Sequence, residues 1–317
     1  MQIKNQELKH QGDRQKNSKS HKIAWFLGAI PLALFALIAW GLTEPYILDQ
    51  EEETAVVPNL PAAWSGKKVA QLSDFQVGMW WDNVATVSKS VNKLIAEKPE
   101  AVFITGDFIY HANPNSQDEI NEVVNLLRPL SDANIPTYAV LGNHDYGMKS
   151  KDIEPDREQA ALLTQELESI GIEVLSNEAV QIPLQGQPSD LHVVGIGSHW
   201  AKSDRVDTAL AQLSADSPRI TIMHHPDSFI DFPANTASFA MAGHTHGGQI
   251  RLPFLPHWSW LSFAKDDQVR SDAWVAQEYG QPGNNLYVNR GVGFSDIPLR
   301  INCTPELTFF TLQPSQS

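Results

Sequence analysis

SFAMAGHTHGGQ, residues 238–249, is the stretch on which the fold turns. A short apolar run with strand character enters Gly243, and His244 and His246 then stand at i and i+2, on one face of an extended chain. Gly247 and Gly248 make a helical reading of the pair untenable. Two imidazoles delivered this way form a usual metal-ligating pattern, the bland alternative being a solvated turn. Four earlier segments repeat the form. KKVAQL (67–72) leads to Ser73-Asp74-Phe75-Gln76, AVFIT (101–105) to Gly106-Asp107, TYAVL (137–141) to Gly142-Asn143-His144-Asp145, and RITIM (219–223) to His224-His225-Pro226-Asp227. Open α/β sheets place ligand sites at such strand ends. A lone Gly-Asp is most often a turn. Five strand ends in order, each offering hard or borderline ligands, can together hold two divalent cations. The glycines before the ligands, Gly106, Gly142 and Gly243, suit a chain that turns sharply and approaches a substrate closely.

Between the early strands lie amphipathic stretches at 83–97, 117–130 and 156–170, giving a β-α-β-α rhythm. Ser116 and Glu119 have capping-box spacing, and Gly171 sits where a helix C-cap belongs. Later segments (LHVVGIG, QIRLP, NLYVNRG, ELTFFTL) read mostly as strands. One α/β domain over 66–317 is the simplest division, with residues 43–65, acidic and containing Pro45 and Pro58, as a linker.

The chain sums to −14, from 23 Lys+Arg against 37 Asp+Glu, a balance that argues against nucleic acid as partner. One cysteine, Cys303, excludes a disulfide framework and any Cys-rich zinc site; it reads as a small buried residue. Any metal must therefore sit on His, Asp, Glu, Asn or Gln. The charge is also unevenly spread. Residues 1–22 hold six basic side chains (Lys4, Lys9, Arg14, Lys16, Lys19, Lys22) against Glu7 and Asp13, a local +4, which leaves −18 for the rest.

Residues 23–42, IAWFLGAIPLALFALIAWGL, carry no charge and at about 1.5 Å per helical residue match a bilayer core of about 30 Å. The basic flank precedes the run and acids follow it (Glu44, Asp49, Glu51, Glu52, Glu53), so the positive-inside rule predicts a basic cytoplasmic tail over 1–22, a transmembrane anchor over 23–42, and an extracytoplasmic domain. Trp25 and Trp40 fall near the two ends of the run. A cleaved signal peptide is disfavoured by the long basic region, the length of the apolar run, and the lack of a small-x-small site. The localisation expected is single-pass in the cell membrane.

The ordered set of strand-end motifs resembles the calcineurin-like metallophosphoesterase superfamily over about residues 66–313. GHTHGGQIRLP and NRGVGFSDIPLRINCTPELTFFTL resemble its bacterial membrane-associated branch, which includes lipid-nucleotide pyrophosphatase-like members. The resemblance implies an α/β fold, a four-layer α/β/β/α sandwich, here preceded by one N-terminal transmembrane helix. It implies two divalent metal ions (Mn, Mg, Fe or Zn). Asp74, Gln76, Asp107 and His246 would hold the first, and Asp107 would bridge to a second held by Asn143, His224 and His244. His144, with Asn143, would be catalytic, and His225 would occupy a nonligand position. The reaction implied is hydrolysis of a small or lipid-linked phosphoester or pyrophosphate by metal-bridged hydroxide. Two cations would also let a strongly acidic domain accept an anionic ester.

Two departures stand out. The family's first motif is Asp-x-His, whereas Asp74-Phe75-Gln76 supplies an amide, a weaker and harder ligand that leans toward Mn or Mg. Gln76 is expected as ligand; the alternatives are a hydrogen bonder behind the ligands, or a sign that the first site is impaired. The last would make the chain a noncatalytic metal- or phosphate-binding protein of the same fold. Relatives also often carry an acid three residues after the bridging Asp to orient the catalytic histidine. Here that place is Tyr110, which leaves Asp145 as a candidate orienter of His144. For substrate contacts the candidates are Trp80, Trp81 and His199, and the apolar run RLPFLPHWSWLSF (251–263) could meet lipid or be buried in the domain.

Overall fold

The computed structural model describes residues 29–81, 84–110, 116–252, 255–260, 263, 273–275 and 280–315. The basic tail expected over 1–22, the first six residues of the expected anchor and Trp25 lie outside them. A helix, α1, runs over residues 29–43 and leads into β1 (Asp49–Val57) and β2 (Lys68–Leu72). Helices and strands then alternate: α2 (Val84–Glu97), β3 (Val102–Ile104), α3 (Ser116–Asp132), β4 (Thr137–Ala139), α4 (Arg157–Ser169) and β5 (Ile172–Val174). The second half supplies β6 (Glu178–Gln181), β7 (His192–Gly195), α5 (Val206–Leu210), β8 (Arg219–Ile222), β9 (Ala240–Ala242), β10 (Arg251–Leu252), β11 (Leu255–Ser259), β12 (Ala273–Trp274), β13 (Leu286–Val288) and β14 (Glu306–Pro314).

Two six-stranded sheets result, ordered β1-β14-β2-β3-β4-β5 and β12-β13-β9-β8-β7-β6. The period-2 alternation of side chains places them face to face. In β3, Val102 and Ile104 turn toward α2 and α3 with Leu94, Ile120 and Leu127, while Phe103 turns the other way. It meets Tyr138, Ile220, Ile222, Met241 and Phe310 in an apolar layer between the sheets. On the outer face of the second sheet, Val194, Ala240 and Val288 pack with Ala209 and Phe229. The layers are thus α/β/β/α. At about 25 cal/mol per Å² of apolar surface, and with residues such as Trp64, Phe103 and Phe310 fully buried, this central layer contributes substantially to stability beside the helix-covered outer layers.

The three long helices match their expected positions within a residue or two. Asp156 caps α4 by accepting the Gln159 N–H at 2.9 Å, and Gly171, at φ 85°, ends it. Ser116 is the first residue of α3, and Glu119 is turned toward Gly78.

One expectation changes. Residues 43–65, read as a linker, contain β1, which pairs in parallel with β14 from Asp49↔Glu306 to Val57↔Pro314. Its acids lie on an exposed edge, where charge also blunts further strand addition, and Ala55 and Val57 turn inward.

Residues Ala29–Tyr46 form one apolar helical stretch of 18 residues with mean hydropathy 1.3 and few buried positions, long and apolar enough to cross a membrane by length and composition. Its C-terminal end is attached to the domain. Glu44 is buried and accepts the N–H groups of Asn302 (3.0 Å) and Cys303, and Arg300 N–H donates to Gly41 O at 3.0 Å.

Candidate metal and phosphoester site

All five motifs named from the sequence converge at the C-terminal ends of β2, β3, β4, β8 and β9. Asp74, Asp107 and His246 form one group and His224, His225 and His244 another, each with ligand atoms within 4.8 Å of one another. Every member is buried except His244, which is half-buried. Asp107 links the groups: its Oδ2 lies 3.3 Å from His224 Nε2, while its Oδ1 accepts the His144 N–H at 2.9 Å. Asp74 Oδ1 is 3.4 Å from His246 Nε2, and both Asp74 oxygens accept the His244 N–H at 3.1 Å.

The backbone is unusual where these side chains leave it. Asp74, Gln76, Asp107, His244 and His246 all adopt positive φ, between 47° and 72°. Non-glycine residues pay on the order of 1–3 kcal/mol for such conformations, which persist where surrounding structure enforces them and often mark functional sites. The neighbouring glycines show how tight the turns are. A Cβ on Gly142 would overlap Asp107 Oδ1 and lie 2.6 Å from its backbone nitrogen, and one on Gly243 would overlap Ser73 Oγ and Asp74 Oδ2. The close approach inferred for these glycines is therefore between neighbouring ligand loops.

Both ring nitrogens of buried His225 lack a hydrogen-bond partner among the described residues, and so do two atoms at the strand ends beside it, Asn143 Oδ1 and His224 Nε2. Each of the latter two is aimed by the other end of its side chain. Asn143 Nδ2 donates to Met148 O at 2.7 Å, and His224 Nδ1 donates to Thr105 O at 2.6 Å, which turns Nε2 toward Asp107; that nitrogen offers a lone pair in the neutral imidazole. A buried set of two carboxylates, imidazoles and an amide oxygen, with no Lys or Arg paired to the carboxylates among the described residues, fits divalent cations.

The titration pattern agrees with that chemistry. Burial, opposed by His224 and reinforced by the Asp107 charge, pushes the Asp74 carboxyl up to about 7. Burial acts on Asp107 too, yet His224 and His144 hold it well below the usual carboxylate range. Burial pulls the His224 imidazole down, but the adjacent Asp107 carries it up to about 9 in the metal-free chain. A proton and a cation compete for that nitrogen. His225, pushed far down by burial and then by its histidine neighbours, is neutral.

His144 stacks on Tyr110 with ring centroids 5.1 Å apart, and its Nδ1 donates to the Tyr110 backbone carbonyl at 3.1 Å. That carbonyl orients the ring. Asp145, considered for the task, is committed elsewhere: its carboxylate accepts the N–H groups of Asp107 (2.9 Å), Phe108 (2.8 Å), Ile109 (3.3 Å) and Gly142 (2.8 Å) and so ties two ligand loops together.

Gln76 is buried beside the carboxylates, and here its amide nitrogen donates to Asp107 Oδ2 at 2.9 Å and stands 3.5 Å from His246 Nε2. In this orientation it is a hydrogen-bond donor; presenting its oxygen to a cation requires a half-turn of the amide. His225, expected outside the ligands, lies 4.4 Å from His244 and 4.7 Å from His224 between ring centroids. His199 donates from Nδ1 to Asp204 Oδ2 at 2.7 Å and lines a cavity of about 380 Å³ with Lys151, Trp200, Lys202, Asp204 and Arg205. Trp200, not singled out from the sequence, meets His244 edge-on at 5.0 Å; its place after His199 in GSHW was the available signal. Trp80 and Trp81 are exposed and bonded to Asp296 O (3.3 Å) and the Tyr46 hydroxyl (2.7 Å), at the base of α1.

Comparison with known proteins agrees with this geometry. The family described as calcineurin-like phosphoesterase matches residues 67–248. The chain is 28% identical over 310 residues to the uncharacterized metallophosphoesterase YkuE of Bacillus subtilis (strain 168), covering 94% of this chain and 99% of that one. It is 31% identical over 229 residues to the phosphodiesterase YaeI of Escherichia coli (strain K12), covering 72% and 76%. Similarity of 26% over 291 residues extends to the UDP-2,3-diacylglucosamine pyrophosphatase LpxG of Chlamydia muridarum (strain MoPn / Nigg), covering 79% and 85%.

Proposed function

We propose, for a chain that belongs to the calcineurin-like phosphoesterase family, a phosphoric ester hydrolase held to the membrane by α1, with two divalent cations and an extracytoplasmic catalytic domain, acting on a small or lipid-linked phosphodiester or pyrophosphate. The observation that carries this reading is the pair of adjoining donor groups that meet at Asp107, with His144 bonded to the same carboxylate.

Asp74, Asp107 and His246 would hold one cation, and Asp107, Asn143, His224 and His244 the other; Gln76 and His225 adjoin the two sets. Such cations polarise phosphoryl oxygens and lower the pKa of water. The protein's own groups supply the rest. Asn143, its nitrogen held by Met148 O, keeps its amide oxygen pointed into the site. His144 has its Nδ1 proton fixed on Tyr110 O, so Nε2 is the nitrogen that exchanges a proton with the leaving oxygen. The Asp145 carboxylate holds the loops that carry Asp107 and Asn143 in register, which keeps these groups preorganised. Lys151 stands over the Trp200 ring at 5.6 Å and Lys149 over Tyr110 at 4.5 Å, placing positive charge beside both aromatic neighbours of the site in an otherwise acidic domain. The activities named for YaeI and LpxG support diester and lipid pyrophosphate substrates.

The test is metal analysis of the full chain together with hydrolysis of bis(p-nitrophenyl) phosphate, p-nitrophenyl phosphate and a diacyl pyrophosphate, each with Mn, Mg, Zn or Fe. Two cations per chain and turnover of a diester or pyrophosphate are expected. One retained cation and no turnover with any metal would instead select the noncatalytic binding protein. A reporter fused after residue 317 tests the extracytoplasmic placement.

A further inference from the structure

The base of α1, the histidine turn of the site and two exposed apolar segments are all fastened to residues 295–303. Gly41 abuts this segment so closely that a Cβ there would lie 3.0 Å from Ile301 and 3.1 Å from Leu299, and Glu44 accepts its N–H groups at 302 and 303. From the other side Arg300 and Cys303 donate to the His246 carbonyl, and Gln249 donates to Ser295 O and Ile297 O at 2.9 Å. The β10–β11 hairpin joins through the Arg251 N–H, which reaches Ile301 O at 2.9 Å, and the Trp260 N–H, which reaches Ile250 O at 2.9 Å. The Trp80–Trp81 pair joins through Asp296 O and Tyr46.

Six side chains on these segments are open to solvent. Trp80 is 64% exposed, Leu255 54% and Phe263 72%, with Trp81, Leu252 and Trp260 also exposed. A soluble domain has little reason to expose three tryptophans around the root of an apolar helix, whereas aromatic rings with a polar edge are suited to the membrane–water boundary. Their continuity with α1 identifies the occupant.

Resting on the anchoring proposed above, we propose that Trp80, Trp81, Leu252, Leu255, Trp260 and Phe263 form a bilayer-docking surface. It seats the catalytic domain on the outer leaflet and sets the metal groups to take lipid-linked phosphoesters whose acyl chains remain in the membrane. The short hydrogen-bonded path from α1 through residues 300–303 to His246 leaves no flexible tether on which the domain could swing away.

The experiment uses the full chain in nanodiscs of phosphatidylcholine and phosphatidylglycerol. Single reporters at Trp80→Cys, Leu255→Cys, Leu34→Cys and the remote Asp216→Cys carry an environment-sensitive fluorophore, and the native Cys303 is buried. Dibrominated lipid is expected to quench positions 34, 80 and 255 at least twofold and to leave 216 unchanged, while aqueous iodide quenches only 216. Iodide quenching at 80 and 255 with lipid quenching at 34 overturns the docking surface and leaves the anchor intact. Lipid quenching absent at 34 overturns both. Protection from iodide at 80 and 255 without lipid quenching assigns the surface to a second copy or another protein and also overturns the proposal. None of these readings depends on turnover, so a failed hydrolysis assay counts only against the hydrolase reading.

Discussion

The amide nitrogen of Gln76 donates to Asp107 Oδ2 at 2.9 Å, so a neutral side chain stabilises the very carboxylate that joins the two donor groups. Gln76→His replaces that donor with an imidazole at a position bordering Asp74 and His246. If Gln76 serves as a cation ligand, the variant should gain affinity for the first cation by roughly tenfold, the scale at which changes around a metal act. Calorimetric metal titration checks this, and unchanged affinity would assign Gln76 to hydrogen bonding alone.

Asp107→Asn removes the charge shared between the groups while preserving shape. Turnover should fall by about three orders of magnitude or more, as for side chains that act as part of one catalytic unit. Metal content measured on the same sample should fall with it, and circular dichroism should show the fold intact, because a neutral amide relieves burial of charge in the metal-free chain. His244→Ala should likewise abolish activity.

Gly142→Ala and Gly243→Ala test the crowding of the ligand loops. Each Cβ would overlap a carboxylate oxygen belonging to another loop. Overpacking of this kind costs about 1–3 kcal/mol, and the displaced oxygen belongs to a proposed ligand, so metal affinity should decline along with stability in urea denaturation. An unaltered metal affinity would show that the loops yield without moving the carboxylates.

The His199–Asp204 pair gives a pH signature outside the two donor groups, although the His199 ring lies 6.1 Å from that of His225. The hydrogen bond that His199 donates to Asp204 raises the His199 pKa above its ordinary value, against the opposing effect of burial. Burial works against the Asp204 carboxylate, but the bonds from His199 and Ser228 leave its pKa lowered. The histidine contribution is therefore fully present below the unfolded value of about 6.5 and lost as pH rises through the raised folded value. The aspartate contribution is present above about 3.9 and lost as pH falls through its lowered folded value. His199→Ala should destabilise the chain most near pH 5 to 6 and least above pH 9, by about 1 kcal/mol or less because the imidazole is partly exposed to screening solvent. An NMR titration of His199 gives the same shift directly.

Glu44→Ala removes both hydrogen bonds from the buried carboxylate to residues 302 and 303. Charge-assisted bonds of this kind are worth about 1.5–3 kcal/mol. The variant should lose thermal stability, and hydrogen exchange should quicken at Asn302 and Cys303 while α2 to α4 remain protected.

What was legible in the sequence was the part written in consecutive residues. Apolar runs ending in Ser-Asp, Gly-Asp, Gly-Asn-His, His-His or Gly-His-Thr-His announce strand, turn and candidate ligand within a dozen positions, which is why Asp74, Asp107, His224, His244 and His246 stand out together in the sequence. β1 was hidden because Asp49–Thr54 shows no apolar alternation and its partner strand begins at Glu306, far along the chain. The orientation of His144 was hidden for another reason: a carbonyl from Tyr110 performs it, and any residue type supplies a carbonyl. Trp200 reaches the site only through ring packing set by tertiary structure.

The parallel pairing of β1 with β14 also determines how the molecule meets mechanical load. Tension entering from α1 would pull β1 lengthwise along a nine-position ladder. Loaded in shear, those hydrogen bonds must yield together, whereas a strand peeled from its end would surrender them one at a time. With α1 set in a bilayer as proposed, lateral drag or bending of that bilayer would be spread over the edge of the β-sheet before it could disturb the strand ends that carry the proposed ligands.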